Sequence, residues 1–322
     1  MKPPRWQGGL GTGLVCVMGL GALASAPAWA QAAGGPLQAV AVAGAQVLPD
    51  RVGTAPGGQR LREVSGLAWD GPRGLWWTVS DRGLLVGWRV DFSAAGLQAQ
   101  AAVARPLEGQ PNAESVEWLP AAGGGELAVL DEAGARWLRF DVQGRSLGAT
   151  PLPTPAGVDY RRGVEALVRH PRLGLVVVPQ RPAKGVGKGA GKGAGKGAPE
   201  AGTHTLVAED GRQWALPVAG PGASIKAAHA DGQGRLLLLE KVASAPLERR
   251  WWLRELDPGA CAGSPARCEA PAIALASPAL AEDDNLEGLA CRDDGHCLAI
   301  SDDGRLLQPR TLLLWLQLQR GR

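Results

Sequence analysis

Short apolar, strand-like runs separated by Gly- or Pro-containing turns recur along this chain, and five stretches repeat one order: apolar strand, turn, stronger apolar strand. They are "EVSGLAWDGPRGLWWTVSDRG" from residue 63, "AESVEWLPAAGGGELAVLDEAG" from 113, "RGVEALVRHPRLGLVVVPQ" from 162, "IKAAHADGQGRLLLLEK" from 225, and "NLEGLACRDDGHCLAISDDG", residues 285 to 304. The first strands begin about 50 residues apart, with a longer gap before the last copy. Three copies end the second strand in Asp: Asp81, Asp131 and Asp302. Two further candidate strands follow each of the first four pairs, for example "LLVGWRV" with "GLQAQAAV" and "RWWLREL" with "AIALA". The last pair has only "TLLLWLQL" after it, and "LQAVAVAGAQVL" at residues 37 to 48 supplies the missing strand. This pattern predicts an all-β fold, a β-propeller of five four-stranded blades (six if weak strands escape the count). Its N- and C-terminal strands pair to close the ring and leave no open sheet edge. A two-sheet sandwich would accommodate short strands but not the repeat. Alternating apolar residues are expected to pack between blades, with Trp76-Trp77 and Trp251-Trp252 supplying much of the area.

Composition agrees. The 322 residues include 47 Gly and 25 Pro, favouring turns over long helices. With 34 Lys+Arg against 31 Asp+Glu the charge is only +3, too balanced to suggest a nucleic-acid partner. Residues 1–30 read as a signal peptide. Lys2 and Arg5 precede an uncharged apolar run, and Ala28-Trp29-Ala30 sets small residues at the two positions a signal peptidase reads. Cleavage before Gln31 leaves residues 31–322 as one domain, periplasmic or secreted, monomeric and without a transmembrane segment. The Lys/Gly-rich stretch at 184–200 reads as a flexible loop, and its context rules out a phosphate-binding loop. Export leaves four cysteines, Cys261, Cys268, Cys291 and Cys297, which allow three pairings in an oxidising compartment. The local one, Cys261–Cys268 and Cys291–Cys297, is expected because the last two flank a hairpin turn; the spacing fits no common zinc pattern.

The first strands of a propeller line its central channel, so charged residues near them converge: Glu63, Glu114, Glu117, Arg162, Glu165, Lys226, Asp284 and Glu287. Carboxylates gathered round one mouth suit a hard cation such as calcium, which could polarise a substrate oxygen. Alternatively they cap turns and solvate the ring. No G-x-S-x-G elbow occurs, and the four His are scattered. Lys226 is one of only two lysines outside the leader and the Lys/Gly-rich stretch, which suggests an anion contact.

"SGLAWD…LWWTVSDRG", "RGVEALVRHP" and above all "DNLEGLACRDDGHCLAISDDG…TLLLWLQL" resemble the phytase-like family of exported bacterial proteins, labelled "esterase-like activity of phytase". The resemblance runs from about Glu63 to Leu318. It implies an exported propeller that hydrolyses a phosphate or other small ester. The second copy has Glu-Ser rather than Glu-Gly, the third has Ala166 after Glu165, and the fourth, "KAAHAD", has no carboxylate at the Glu position. Expected catalytic residues are Glu165, Glu287 and Asp302; expected substrate contacts are Arg82, Arg162, Lys226 and Asn285; expected calcium ligands are Asp81, Glu287 and Asp302. The alternative is a non-catalytic propeller that binds a ligand or an envelope protein.

Overall fold

The strand-like runs of the five repeats are strands in the computed structural model, which describes residues 35–53, 58–121, 124–155, 158, 160, 163–180, 202–245, 248–263, 266–304 and 309–321. The leader, the Lys/Gly-rich stretch and Arg162 lie outside the described residues.

Five antiparallel blades form the ring. Blade 1 contains Val64–Asp70, Leu75–Ser80, Leu84–Ser93 and Gly96–Pro106. Blade 2 contains Ala113–Leu119, Glu126–Asp131, Arg136–Phe140 and Ser146–Pro151. Blade 3 contains Val164–His170, Gly174–Pro179, Thr203–Ala208 and Gln213–Pro217. Blade 4 contains Ala223–Ala230, Leu236–Ala245, Glu248–Leu256 and Ala272–Leu275. Blade 5 contains Leu286–Cys291, His296–Ser301 and Leu312–Arg320, and its outer strand is Leu37–Val47 from the start of the chain. That outer strand pairs antiparallel with Leu312–Arg320, Val42 opposite Leu316, so the two ends of the chain close the ring as the repeat predicts.

Among the described residues five apolar clusters hold the blades together, one at each seam. The Trp doublet in blade 1 shows why alternation matters. Successive side chains of a strand point to opposite faces, so Trp76 packs into the seam with blade 5 and Trp77 into the seam with blade 2. Both are 1% exposed. Trp77 Nε1 donates to Asp70 and Trp88 Nε1 to Thr78, so these large rings are buried without orphaned donors.

Both disulfides form as paired in the sequence reading. Cys291–Cys297 bridges opposed residues of the first hairpin of blade 5. Cys261–Cys268 closes a small hairpin, Ala262–Gly263 with Ala266–Arg267, that adds to the outer edge of blade 3.

Glycine appears in the innermost strands where backbones touch. A Cβ on Gly288 would lie 2.8 Å from the carbonyl carbon of Gly66, and one on Gly66 would lie 2.5 Å from the backbone nitrogen of Val116. Blades 5, 1 and 2 therefore meet nearly backbone to backbone, which explains the Ser-Gly-Leu and Glu-Gly-Leu of the repeat.

Candidate functional site

The first strand of every blade breaks register with the second near its start. In blades 2 to 5 the residue that bulges out is Glu114, Glu165, Lys226 or Glu287, skipped between paired neighbours. In blade 1 the irregularity falls between Ser65 and Ala68, and the sequence repeat sets Ser65 at the corresponding place. A bulge re-aims a side chain away from the pleated face. Repeated round the ring, it brings one polar group per blade to the same end of the channel.

A second set comes from the far ends of the second strands. Asp81, Glu132, Gln180 and Asp302 each follow the last residue of a second strand and donate a backbone N–H to the segment before the first: to Glu63, Asn112, Gly163 and Asn285. This corrects the sequence reading in blade 2. The counterpart of Asp81 and Asp302 is Glu132, not Asp131. Asp131 is one residue earlier, buried, and paired with Arg136 at 2.9 Å. A one-residue slip in a strand moves a side chain to the opposite face.

The groups join into a network across blades 3, 4 and 5. Lys226 Nζ lies 2.5 Å from Glu165 Oε2 and 3.0 Å from Glu287 Oε2, all three buried. Gln180 donates to the other oxygen of Glu165. Asn285 donates to Glu287 and, at 3.0 Å, to Asp302, while its carbonyl accepts from Lys241 Nζ at 3.1 Å. Of the expected catalytic and binding residues, Glu165, Lys226, Asn285, Glu287 and Asp302 thus come together. Arg82 stands apart on the rim. It is 67% exposed and forks onto Glu63 at 2.6 and 3.1 Å. Asp81 accepts from Ser65 at 2.9 Å.

On the blade 1 and 2 side no lysine among the described residues pairs with the carboxylates. Burial, then Asp81, Glu165, Glu132 and Glu287, pushes the Glu114 carboxyl up to about 9. Burial, offset in part by Ser65, raises Asp81 to about 6. Asp302 is also raised by burial, offset by its bond from Asn285. Burial pushes Glu287 up, and Glu165 adds to this, so that the opposing effect of Lys226 is outweighed. Burial alone would lower Lys226; Glu287 and Glu165 hold it above the usual lysine value. Lys241 has no such pair among the described residues, and burial followed by repulsion from Lys226 brings it down to about 8.

These shifts set a pH dependence. A carboxyl whose folded pKa is raised binds its proton more tightly in the native state, so stability is full below the unfolded pKa and falls as pH rises toward the folded one. Glu114→Gln is expected to be more stable than the parent at pH 9, by about 1–3 kcal/mol, and no more stable at pH 4. Thermal midpoints at the two pH values check this; equal gaps at both would contradict it.

Beside the two lysines a cavity of about 470 Å³ opens, lined by Gln180, Ser224, Lys226, Lys241 and the Gly220–Ala223 turn. The turn is tied down from behind. Ala219 N–H donates to Glu240, a fully buried carboxylate held by His204 at 2.7 Å and Arg254 at 3.1 Å.

The expected calcium ligands each have another partner. Glu287 faces Lys226, Asp302 takes Asn285, and Asp81 takes Ser65. Among the described residues no three His, Cys, Asp or Glu side chains are grouped to hold a metal ion. Sequence reasoning passed over Lys241, Glu132, Gln180 and Ser65 and did not select Glu114. Lys241 did carry a signal, as the second lysine outside the leader and the Lys/Gly-rich stretch.

The chain is thus a five-bladed propeller with a polar, lysine-bearing channel mouth. A family model described as phytase-like, "esterase-like activity of phytase", matches residues 59–305, and the chain belongs to that family. No curated protein matches it. Among solved structures it is similar to a catalytically inactive virginiamycin B lyase from Staphylococcus aureus crystallised with quinupristin, at 12% identity and TM-score 0.36, covering 80% of this chain and 66% of that one. It is also similar to the RRP9 WD40 repeats, at 13% identity and TM-score 0.42, covering 87% of this chain and 100% of that one. A third is the PQQ-bound aldose sugar dehydrogenase from Streptomyces coelicolor, at 12% identity and TM-score 0.40, covering 89% and 100%. The architecture rests on the sheet order of the chain itself.

Proposed function

We propose that the protein is an exported hydrolase acting on a small anionic ester, a phosphate ester first, at the mouth of the channel. One observation carries this reading: the lysine-lined cavity adjoins a buried carboxyl raised above the usual carboxylate range. Lys241 and Ser224 line the cavity and suit an anionic group. Lys226 is already engaged by two carboxylates, so its role is to hold Glu165 and Glu287 in place. Glu287 keeps its proton into the neutral range and can give it to the departing alcohol, while a neighbouring carboxyl group, Asp302 or Glu165, takes one from water. Asn285 fixes the Glu287 and Asp302 carboxyls relative to each other. The two disulfides fit an oxidising compartment, which supports export.

The test is steady-state hydrolysis of p-nitrophenyl phosphate and p-nitrophenyl acetate by the mature protein, with and without added calcium. Turnover of the phosphate ester is expected. Lys241→Met should raise KM about tenfold with a smaller change in kcat, as loss of a ground-state anion contact does. No turnover of either ester in either arm would contradict the proposal and favour a ligand-binding propeller.

A further inference from the structure

Lys241 has a second chemistry, which hydrolysis of an anionic ester does not use. It lies on the second strand of blade 4, directly opposite Ser224 of the first strand. Opposed residues of an antiparallel pair carry their side chains on the same face, with Cβ atoms about 5 Å apart. Both residues line the cavity of about 470 Å³. Strand register and cavity therefore bring an amine and a hydroxyl side by side onto one space that a small molecule can enter.

The two lysines of that cavity differ in what their nitrogens can do. Lys226 Nζ lies 2.5 Å from Glu165 and 3.0 Å from Glu287, and this pair of carboxylates keeps it an ammonium. Lys241 Nζ donates instead to a neutral acceptor, Asn285 Oδ1, at 3.1 Å, and has no ion pair among the described residues. Such an acceptor serves the amine as well as the ammonium, since both forms have an N–H to give. Burial, then Lys226, disfavours the ammonium of Lys241, and Arg249 adds to this. Glu287 and Glu165 oppose them only in part, which leaves the balance at about 8. A desolvated lysine beside a second cation is the arrangement that makes its amine a nucleophile near neutral pH.

The wall limits what that amine could meet. Besides Gln180, Ser224 and the lysines, the lining consists of small or apolar residues, Val218 and Pro221 among them, with no carboxylate and no thiol. A short carbonyl compound fits this space and has the electrophilic carbon that a free amine attacks.

We propose that Lys241 Nζ condenses with a small aldehyde in this cavity to form a reversible imine. The nitrogen lone pair adds to the carbonyl carbon, the C=O π pair moves to oxygen, and a proton passes from nitrogen to that oxygen, giving a carbinolamine. A second proton, from solvent, lets the hydroxyl leave as water while the nitrogen lone pair closes the C=N bond. No oxidant or reductant is consumed. As an ammonium Lys241 attracts anions, and as an amine the same nitrogen makes this bond. The activity goes beyond the hydrolase reading and does not depend on it.

Propanal with sodium cyanoborohydride, which reduces the imine to a stable alkylamine, is the probe. Mass spectrometry of the peptides then gives the alkylation rate at each lysine of the mature protein. At pH 7.5 Lys241 is expected to react at least about tenfold faster than the four lysines of the Lys/Gly-rich stretch, and Lys226 more slowly than any of them. The advantage of Lys241 should shrink as pH rises past about 10.4, where ordinary lysines also lose their protons. It should vanish in guanidinium chloride, because the folded site creates it. The fast phase seen by intact mass should be absent from Lys241→Arg, which keeps the charge. Equal rates at Lys241 and the Lys/Gly-rich lysines at pH 7.5 would overturn the proposal. So would an advantage that survives unfolding or does not change with pH, a fast phase that persists in Lys241→Arg, or Lys226 reacting as fast as Lys241. No ester is present in this assay, so its failure leaves ester turnover untouched, and absent ester turnover leaves the imine standing.

Discussion

Lys226→Met is expected to destabilise the protein by about 3–5 kcal/mol, because it leaves Glu165 and Glu287 buried without their shared cation. Lys226 is 6% exposed, and both carboxylates are buried with it. In the parent, the folded pKa of Lys226 is raised, so its contribution is complete below the unfolded value and is lost only as pH climbs through the folded one. Nothing therefore changes for this group between pH 5 and 9. The variant differs. Without Lys226 the Glu287 carboxyl is held still more tightly to its proton, so the variant's stability should fall with pH across that range. Lys226→Met with Glu287→Gln should recover part of the loss at pH 8, since the neutral amide needs no proton taken up on folding. Denaturant titrations at pH 5 and pH 8 decide the matter. A deficit under 1 kcal/mol at pH 8 would mean that water, not Lys226, neutralises the pair.

Gly66→Ala is expected to cost about 2–4 kcal/mol, from two sources acting together. Gly66 has φ +69°, a conformation that a side chain strains, and its Cβ would sit 2.5 Å from the Val116 nitrogen. Backbone cannot swing aside as the end of a side chain can. Gly74→Ala separates the two causes. Gly74 has φ +62° but nothing within 4 Å of the added carbon, so only the conformational cost of about 1 kcal/mol remains. If both variants lose the same stability, the inner strands of blades 1 and 2 are not in the contact described.

The contrast between these residues shows what the sequence could disclose. Repeats of strand and turn identified the blades, and the surplus strand at residues 37 to 48 identified the closure, because burial at every seam imposes a period of two on each run. Glu165, Glu287 and Asn285 were legible as repeated positions before or within first strands. Bulges were not. A skipped residue leaves no mark in the apolar pattern of "GVEALV" or "SIKAAH", yet it decides that Glu165 and Lys226 face the same space. Asp131 was misjudged for the same reason, since register and not identity separates it from Glu132. Lys241 was hidden inside the second strand of blade 4, whose role at the cavity depends on which neighbour packs over it. Arg82 was adjacent to Asp81 in sequence, but its exposed side chain turns to Glu63 instead of the network.

In the proposed mechanism Glu287, raised by burial and held by Lys226 and Asn285, is the proton donor of a hydrolytic site. The most direct measurement is kcat for p-nitrophenyl phosphate from pH 5 to 10, in the parent and in Glu287→Gln. The parent profile is expected to fall on the alkaline side as the Glu287 proton is lost, and the variant's rate to be at least about 100-fold lower with that limb gone. Equal rates and equal profiles in the two proteins would contradict it.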